Sequence, residues 1–201
     1  MEKITPFKDA STAISSLDNG GRFYNVFTRS QDDMISLAEV GKVAGLFLGK
    51  QKEMLYLELA LTGLSDADKA IVQQKFDSDL ADSYAKFKAL RLSPAEIASK
   101  GIISSNVILS GIPKLVNSGT RLKGFILVPA GPAFTMLPIS EIYDTYELSD
   151  PTGTAHFLIV TEKDKEKLPE QLITVGGILK ESRDNDDAPA DLFVEVSYYL
   201  A

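Results

Sequence analysis

Any proton transfer near neutral pH would fall first to His156, the chain's single histidine, since there is no cysteine to share the task. His156 lies in the run Ala155–Thr161, whose alternation places it with Leu158 and Val160 on one strand face. A hydrolase would add a serine nucleophile and a carboxylate, and both residue types are plentiful. No Gly-x-Ser-x-Gly elbow presents such a serine, so His156 is expected to be structural or simply exposed. The segment Gly45-Leu46-Phe47-Leu48-Gly49-Lys50-Gln51 glances at a phosphate-binding loop but fails its requirements. Such a loop needs four residues between its glycines, Ser or Thr after the lysine, and a preceding strand. Here three residues intervene, Gln51 follows Lys50, and the context is helical. Asp184, Asp186 and Asp187 share only composition with a calcium loop, because Ala188-Pro189 stands where the later ligands belong. In Asp150-Pro151-Thr152-Gly153 the proline interrupts an aspartic-protease signature, leaving a turn. The pairs Glu141/Asp144 and Glu162/Glu166 carry no specificity by spacing alone. The sequence thus presents no catalytic residue, no cofactor motif and no metal-ligand set.

Two features point instead to contact surfaces. Gly41, Gly45 and Gly49 recur at steps of four, which in one continuous helix makes a bare stripe for a second helix to approach. Each glycine costs about 0.8–1 kcal/mol of helix propensity relative to alanine, so close packing or a break at Gly49 is the expected return. Tyr198 and Tyr199 are adjacent on a strand and must point to opposite faces. Either one of them is exposed as a contact residue, or both pack in a core that has two sides. Gly41, Gly45, Tyr198 and Tyr199 are the candidate interaction residues.

The elements that would position these residues divide the chain. Ser30 is expected to cap a helix with Asp32 and Asp33 in its first turn, running to about Leu61 and divided near Gly49. Ser65 caps a second helix, in which Val72, Phe76, Leu80, Tyr84 and Phe87 lie along one face. A third begins at Ser93-Pro94, where Glu96 completes a capping box, and ends at Gly101. Beyond Gly101 the pattern changes to short β-branched and aromatic runs: 107–109, 124–128, 134–137, 142–148, 155–161, 172–180 and 192–199. Asp150–Gly153 joins two of them as a hairpin turn, and Arg183–Pro189 reads as an exposed loop.

The class is therefore α+β: a helical region over residues 1–112, then a mostly antiparallel β-rich region over 113–201, a small barrel or sandwich. Pro113–Gly124 is the place to look for a boundary, although the two halves can share one core. From Ile142 to Tyr199 the order of strand, DPTG turn, AHFLIVTE, lysine/glutamate loop, LITVGGILKE and LFVEVSYY resembles an oligonucleotide/oligosaccharide-binding (OB) barrel. That resemblance covers under a third of the chain and concerns strand order only.

A chain of 201 residues is long enough to bury a substantial core. Residues 1–20 lack a secretory apolar run, and no stretch reaches about 18 uninterrupted apolar residues, so a soluble, cytoplasmic protein without membrane contact is expected. Residues 1–105 hold 13 basic and 14 acidic residues, whereas residues 106–201 hold 8 and 14. Phosphate neutralisation supplies much of nucleic-acid affinity, so this acidic balance makes nucleic acid an unexpected partner. The reading that follows is a non-catalytic binding or assembly protein, with a protein partner or self-association. Its alternatives are nucleic-acid association through the barrel-like half and an enzyme whose site is scattered along the sequence.

Overall fold

The computed structural model describes residues 1–18, 33–45, 49–130, 133–163, 166–182 and 191–201, with backbone alone over 119–130, 133–142 and 182. In chain order the elements are β1 (Glu2–Lys3), α1 (Ala10–Leu17), α2 (Leu37–Val43), α3 (Lys50–Ala60) and a 3-10 turn at Leu61–Gly63. Then come α4 (Asp66–Gln73), α5 (Ser78–Lys86), β2 (Leu90–Leu92) and α6 (Ile97–Lys100). The sheet follows with β3 (Asn106–Ala130), β4 (Ala133–Ser149), β5 (His156–Glu162), β6 (Ile173–Ser182) and β7 (Asp191–Leu200).

Local chemistry explains most helix ends. Asp9 caps α1 by accepting from the Thr12 N–H at 2.7 Å. At α2 the Glu39 carboxylate accepts from the Ser36 N–H and hydroxyl at 2.8 and 2.7 Å. The expected cap Ser30 lies outside the described residues. Ser65 caps as its sequence suggests, receiving the Asp68 N–H at 3.1 Å. The single helix expected beyond Ser65 is instead two. The Ile35 N–H donates to the Lys75 carbonyl and the Ile35 carbonyl accepts the Asp77 N–H, around a bridge between Ile35 and Phe76, and Asp77 then caps α5 by accepting the Leu80 N–H. The backbone bonds taken by Ile35 end α4, although the apolar stripe continues in register into α5. Ser93 and Glu96 form the expected mutual contacts, and α6 occupies only Ile97–Lys100.

The strands form one mixed seven-stranded sheet that closes on itself. β3 pairs with β4, β4 with β5 and β6 with β7 in antiparallel fashion, β5 meets β7 in parallel, and β6 returns antiparallel to β3. That ring of five strands has the order of an OB-like Greek-key barrel. Its interior holds Val107, Leu109, Tyr146, Leu148, Val175 and Val194, among others. Asp150 makes the β4–β5 turn as expected, with Gly153 at φ +70° and the Thr154 N–H bound to the Asp150 carboxylate at 2.8 Å. No break occurs between Pro113 and Gly124, because β3 runs through with register shifts near Val116 and between Ser118 and Thr120. Pro113 is tolerated because β6 pairing ends at Gly111, so the missing N–H faces an open strand edge.

Helix α3 joins the two parts of the chain. Met54, Leu57 and Leu61 enter a helical core with Leu17, Val40, Val72 and Leu80, while Leu55 and Leu59 pack with Ile108 and Tyr198 on the sheet. A helix buried on opposite sides has little amphipathic signal, which is why α3 is weakly patterned in sequence. Asn106, at the start of β3, donates to the carbonyls of Gln51 and Phe87 at 2.9 Å each, tying α3 and the end of α5 to the barrel.

Candidate functional site

His156 sits at the start of β5 opposite Ser149 of β4. The Ser149 hydroxyl lies 2.9 Å from its Nδ1, and a Glu147 carboxylate oxygen lies 3.7 Å from that same nitrogen. A triad places its serine and its carboxylate on different ring nitrogens, so that a proton can pass through the ring. Here both partners address Nδ1 on an exposed strand face, and that arrangement cannot relay a proton. Asp144 is buried and accepts the Ser118 hydroxyl at 2.6 Å, which fixes the two strands beside a register shift. The side chain of Glu141 and residues 184, 186 and 187 lie outside what the structure describes. Among the described residues no group of three His, Cys, Asp or Glu is arranged to hold a metal.

Tyr198 and Tyr199 are both buried, on opposite sides of β7. Tyr198 meets Tyr56 of α3 edge to face with ring centroids 5.8 Å apart, while Tyr199 enters the barrel interior. Burial, and then the nearby Glu2 carboxylate, push the Tyr198 hydroxyl well above its usual range. Both tyrosines thus join β7 to what lies on either side of it. Gly41 is buried within α2, but α2 ends at Val43, Gly45 has φ +65° and Gly49 has φ +146°. The premise of one glycine-striped helix is corrected: left-handed backbone at Gly45 and Gly49 turns the chain between α2 and α3. Among the described residues, an added Cβ at Gly45 would meet nothing within 4 Å. Close helix approach occurs instead at Gly176 in β6, where a Cβ would stand 2.6 Å from Leu59 Cδ1 and 3.1 Å from Leu55 Cδ1. A glycine doublet inside a predicted strand was the signal for it.

Helix α3 itself carries two buried carboxylates, Glu53 and Glu58. Desolvation raises the pKa of Glu53, and it raises that of Glu58 despite the Ala89 N–H at 3.2 Å. Neither opens onto a described cavity. An open cavity of about 780 Å³ lies between α1, Asp33 and Ile71 of α4, lined by Ser11, Ser15 and Asp18. Among the described residues, Asp18 Oδ1 beside it has no hydrogen-bond partner, but that oxygen is closed off from solvent.

The feature with the greatest reach is the β3–β4 hairpin. β5 pairs with β4 only from Tyr143 to Ser149, and β6 pairs with β3 only from Asn106 to Gly111. Beyond Thr120↔Tyr143 the two strands continue to Ala130↔Ala133 paired, among the described residues, to each other alone. The ribbon outside the barrel contains residues 124–140, GFILVPAGPAFTMLPIS, without one charged residue. Opposed residues share a face, so Phe125/Pro138, Leu127/Met136 and Pro129/Phe134 occupy one face and Ile126/Leu137 and Val128/Thr135 the other. Neither set holds a charged residue within 124–140, although Arg121 and Lys123 precede the first set at the same register positions. At the ribbon's root Ile112, Val116 and Leu158 are exposed, and strand pairing places Ile112 and Leu158 on one face of β3–β4–β5.

No family model matches the sequence, and no curated protein matches it. Among solved structures the chain is similar to the N-terminal domain of an archaeal MCM, at 16% identity with 82% of each chain covered and a TM-score of 0.32. The expectation that nucleic acid is an unlikely partner is not supported and is withdrawn. The charge argument behind it averaged unlike segments. Strand β3 carries Lys114, Arg121 and Lys123 with no acidic residue, and the acids of that half begin at Glu141. Among the described residues no helix is long and apolar enough to cross a membrane.

Proposed function

We propose that the chain is a non-catalytic binding or assembly protein that presents the β3–β4 ribbon to a partner. The observation that carries this reading is the ribbon itself: two strands outside the barrel, with no charged residue on either face over residues 124–140. A two-stranded ribbon is marginally stable alone in water, and contiguous apolar surface of this kind marks a contact site. The body supplies a rigid mount, because the strands that form the ribbon begin inside a closed barrel. The cysteine-free sequence permits a direct test with one photocrosslinking label at Leu127→Cys and a control label at Lys163→Cys. In extract of the producing cell, the ribbon label should give discrete crosslinked products that the control does not. Identical patterns from the two labels would overturn the reading.

A second reading is nucleic-acid association, favoured by the OB-like strand order together with Lys114, Arg121 and Lys123 along β3. In such barrels the connection between the first two strands commonly contacts oligonucleotides, and here that connection is the ribbon. Fluorescence anisotropy with a labelled single-stranded oligonucleotide tests it. Affinity that falls as salt rises, and is lost in Lys114→Glu/Lys123→Glu, supports it; no binding at low salt removes it.

A further inference from the structure

Independently of the ribbon, the segment Met1–Phe7 is laid across α3 as a strap. Its barrel end is β1, which pairs in parallel with β7 at Glu2↔Tyr198 and Lys3↔Tyr199, and the Ile4 N–H donates to the Tyr199 carbonyl at 2.9 Å. Its helical end is Phe7, whose N–H donates to the Ala60 carbonyl at 2.8 Å. A Cβ added at Gly63 would stand 2.6 Å from the Phe7 carbonyl oxygen, so this end is pressed against the turn that follows α3. Between the two ends, Ile4 is buried with Leu55, Leu59 and Tyr198. β5 pairs with β7 only at Val194 and Glu195, so among the described residues β1 is what covers the same edge of β7 at Tyr198 and Tyr199.

The two ends differ in chemistry. Ala60 and Gly63, which hold Phe7, have no titratable side chain. At the β1 end acidic groups converge: Tyr56 meets Tyr198 edge to face, Glu53 lies one turn before Tyr56 on α3, and strand register sets Glu2 beside Tyr198. The Tyr198 hydroxyl is enclosed there without a hydrogen-bond partner among the described residues. Glu53 is buried, and burial raises its pKa even though Lys50, one turn earlier, and the start of α3 both favour its ionised form. Ionising it puts a further negative charge around Tyr198, where the Glu2 carboxylate already acts. Glu58, further along α3, is instead held by the Ala89 N–H beside Lys88 and Arg91.

We propose that Met1–Phe7 is a pH-sensitive strap, whose β1 end lies on β7 while Glu53 is protonated and lifts off when Glu53 ionises, with Phe7 as the anchored hinge. The sign follows from linkage. Docking that raises a carboxyl's pKa takes up a proton, so β1 is held fully below the ordinary carboxylate range and loosens as pH rises through the raised value. Opening grows tenfold for each unit by which docking raises that pKa. Lifting bares the β7 edge at Tyr198 and Tyr199, an unpaired backbone to which an extended chain can add.

Amide exchange of the full chain, read at single residues between about pH 5 and pH 8 and corrected for the intrinsic pH dependence of exchange, tests the proposal. Protection of the Ile4 N–H should fall as pH rises, while that of the Phe7 N–H stays constant. Glu53→Gln has no proton to lose and should keep Ile4 equally protected at every pH. Glu2→Gln, at an exposed position, should make the fall shallower, and it covers the case in which Glu53→Gln misfolds. Ile4 protection that ignores pH, either variant with the wild-type profile, or Ile4 and Phe7 losing protection together would overturn the strap.

Discussion

The inner and outer parts of β3 and β4 belong to the same two strands and obey different physics. Inside the barrel, Val107, Leu109, Tyr146 and Leu148 are fully enclosed, and each strand has further neighbours in the ring. Outside it apolar residues continue, and charged ones are missing from 124–140, but each strand has only the other as a neighbour among the described residues. What changes is the number of strands alongside, so an apolar strand signals a core in one place and a contact surface in the other.

The largest expected contrast is between truncations in the two regions. Leu57→Ala removes a side chain buried in the helical core and should destabilise the monomer by about 2–5 kcal/mol. Leu127→Ala should change monomer stability by about 0.5 kcal/mol or less in urea denaturation at high dilution. Equal losses would place the ribbon in the monomer's core and dissolve the contrast.

Next in size is the helix–barrel joint. Gly176→Ala should destabilise by about 1–3 kcal/mol, because the new methyl meets Leu55 and Leu59 where α3 crosses β6. Chemical denaturation reads this directly, and a stabilised Gly176→Ala would mean that α3 can move away at little cost. Smaller still is the expected effect of removing the ribbon. Thr120 and Tyr143 stand directly opposite, so replacing residues 121–142 with Asn-Gly makes a two-residue hairpin. The body should then keep its thermal midpoint to within a few degrees, and a collapse of the barrel would show that the ribbon is part of the folding unit.

The smallest effect is acid sensitivity, and it belongs to the body. Working against partial desolvation, hydrogen bonds from Thr152, Ala155 and Thr154 hold the Asp150 carboxyl at about 2, below its usual value. Lys100, followed by the Ser93 N–H, holds Glu96 at about 2 as well. Folded pKa values lowered in this way give stability that is present above the ordinary carboxylate range and lost as pH falls toward 2. Glu53 and Glu58 act in the opposite sense, since burial raises their pKa and their ionisation weakens the fold as pH rises. Asp150→Asn should therefore flatten the acid limb of a thermal-stability profile. Residues 124–140 hold no titratable side chain and add nothing to that limb.

Much of the fold was legible because it rests on local chemistry. The Asp150–Gly153 turn, the Ser65 cap and the two-sided placement available to Tyr198 and Tyr199 all follow from residue type and strand alternation. The end of α4 was not legible, because Ile35, some forty residues away, supplies the backbone partners that stop it. Ring closure was hidden for the same reason: the parallel β5–β7 contact and the β3–β6 return are nonlocal. The ribbon was visible only as two strands with a suspected boundary beside them. Proline, asparagine and glycine between 113 and 124 marked the place to look for a boundary, and β3 runs through it because an open strand edge accepts proline and register shifts accommodate the extra residues.

The most direct test of the account is hydrogen exchange of the full chain. Barrel amides of β3 and β4, from Asn106 to Gly111 and from Tyr143 to Ser149, should be strongly protected. Amides from Thr120 to Ala130 and from Ala133 to Ile142, whose strands have only each other alongside among the described residues, should exchange much faster. Ribbon amides protected to the same degree as the barrel would contradict the account, because the ribbon would then belong to the folding unit of the body.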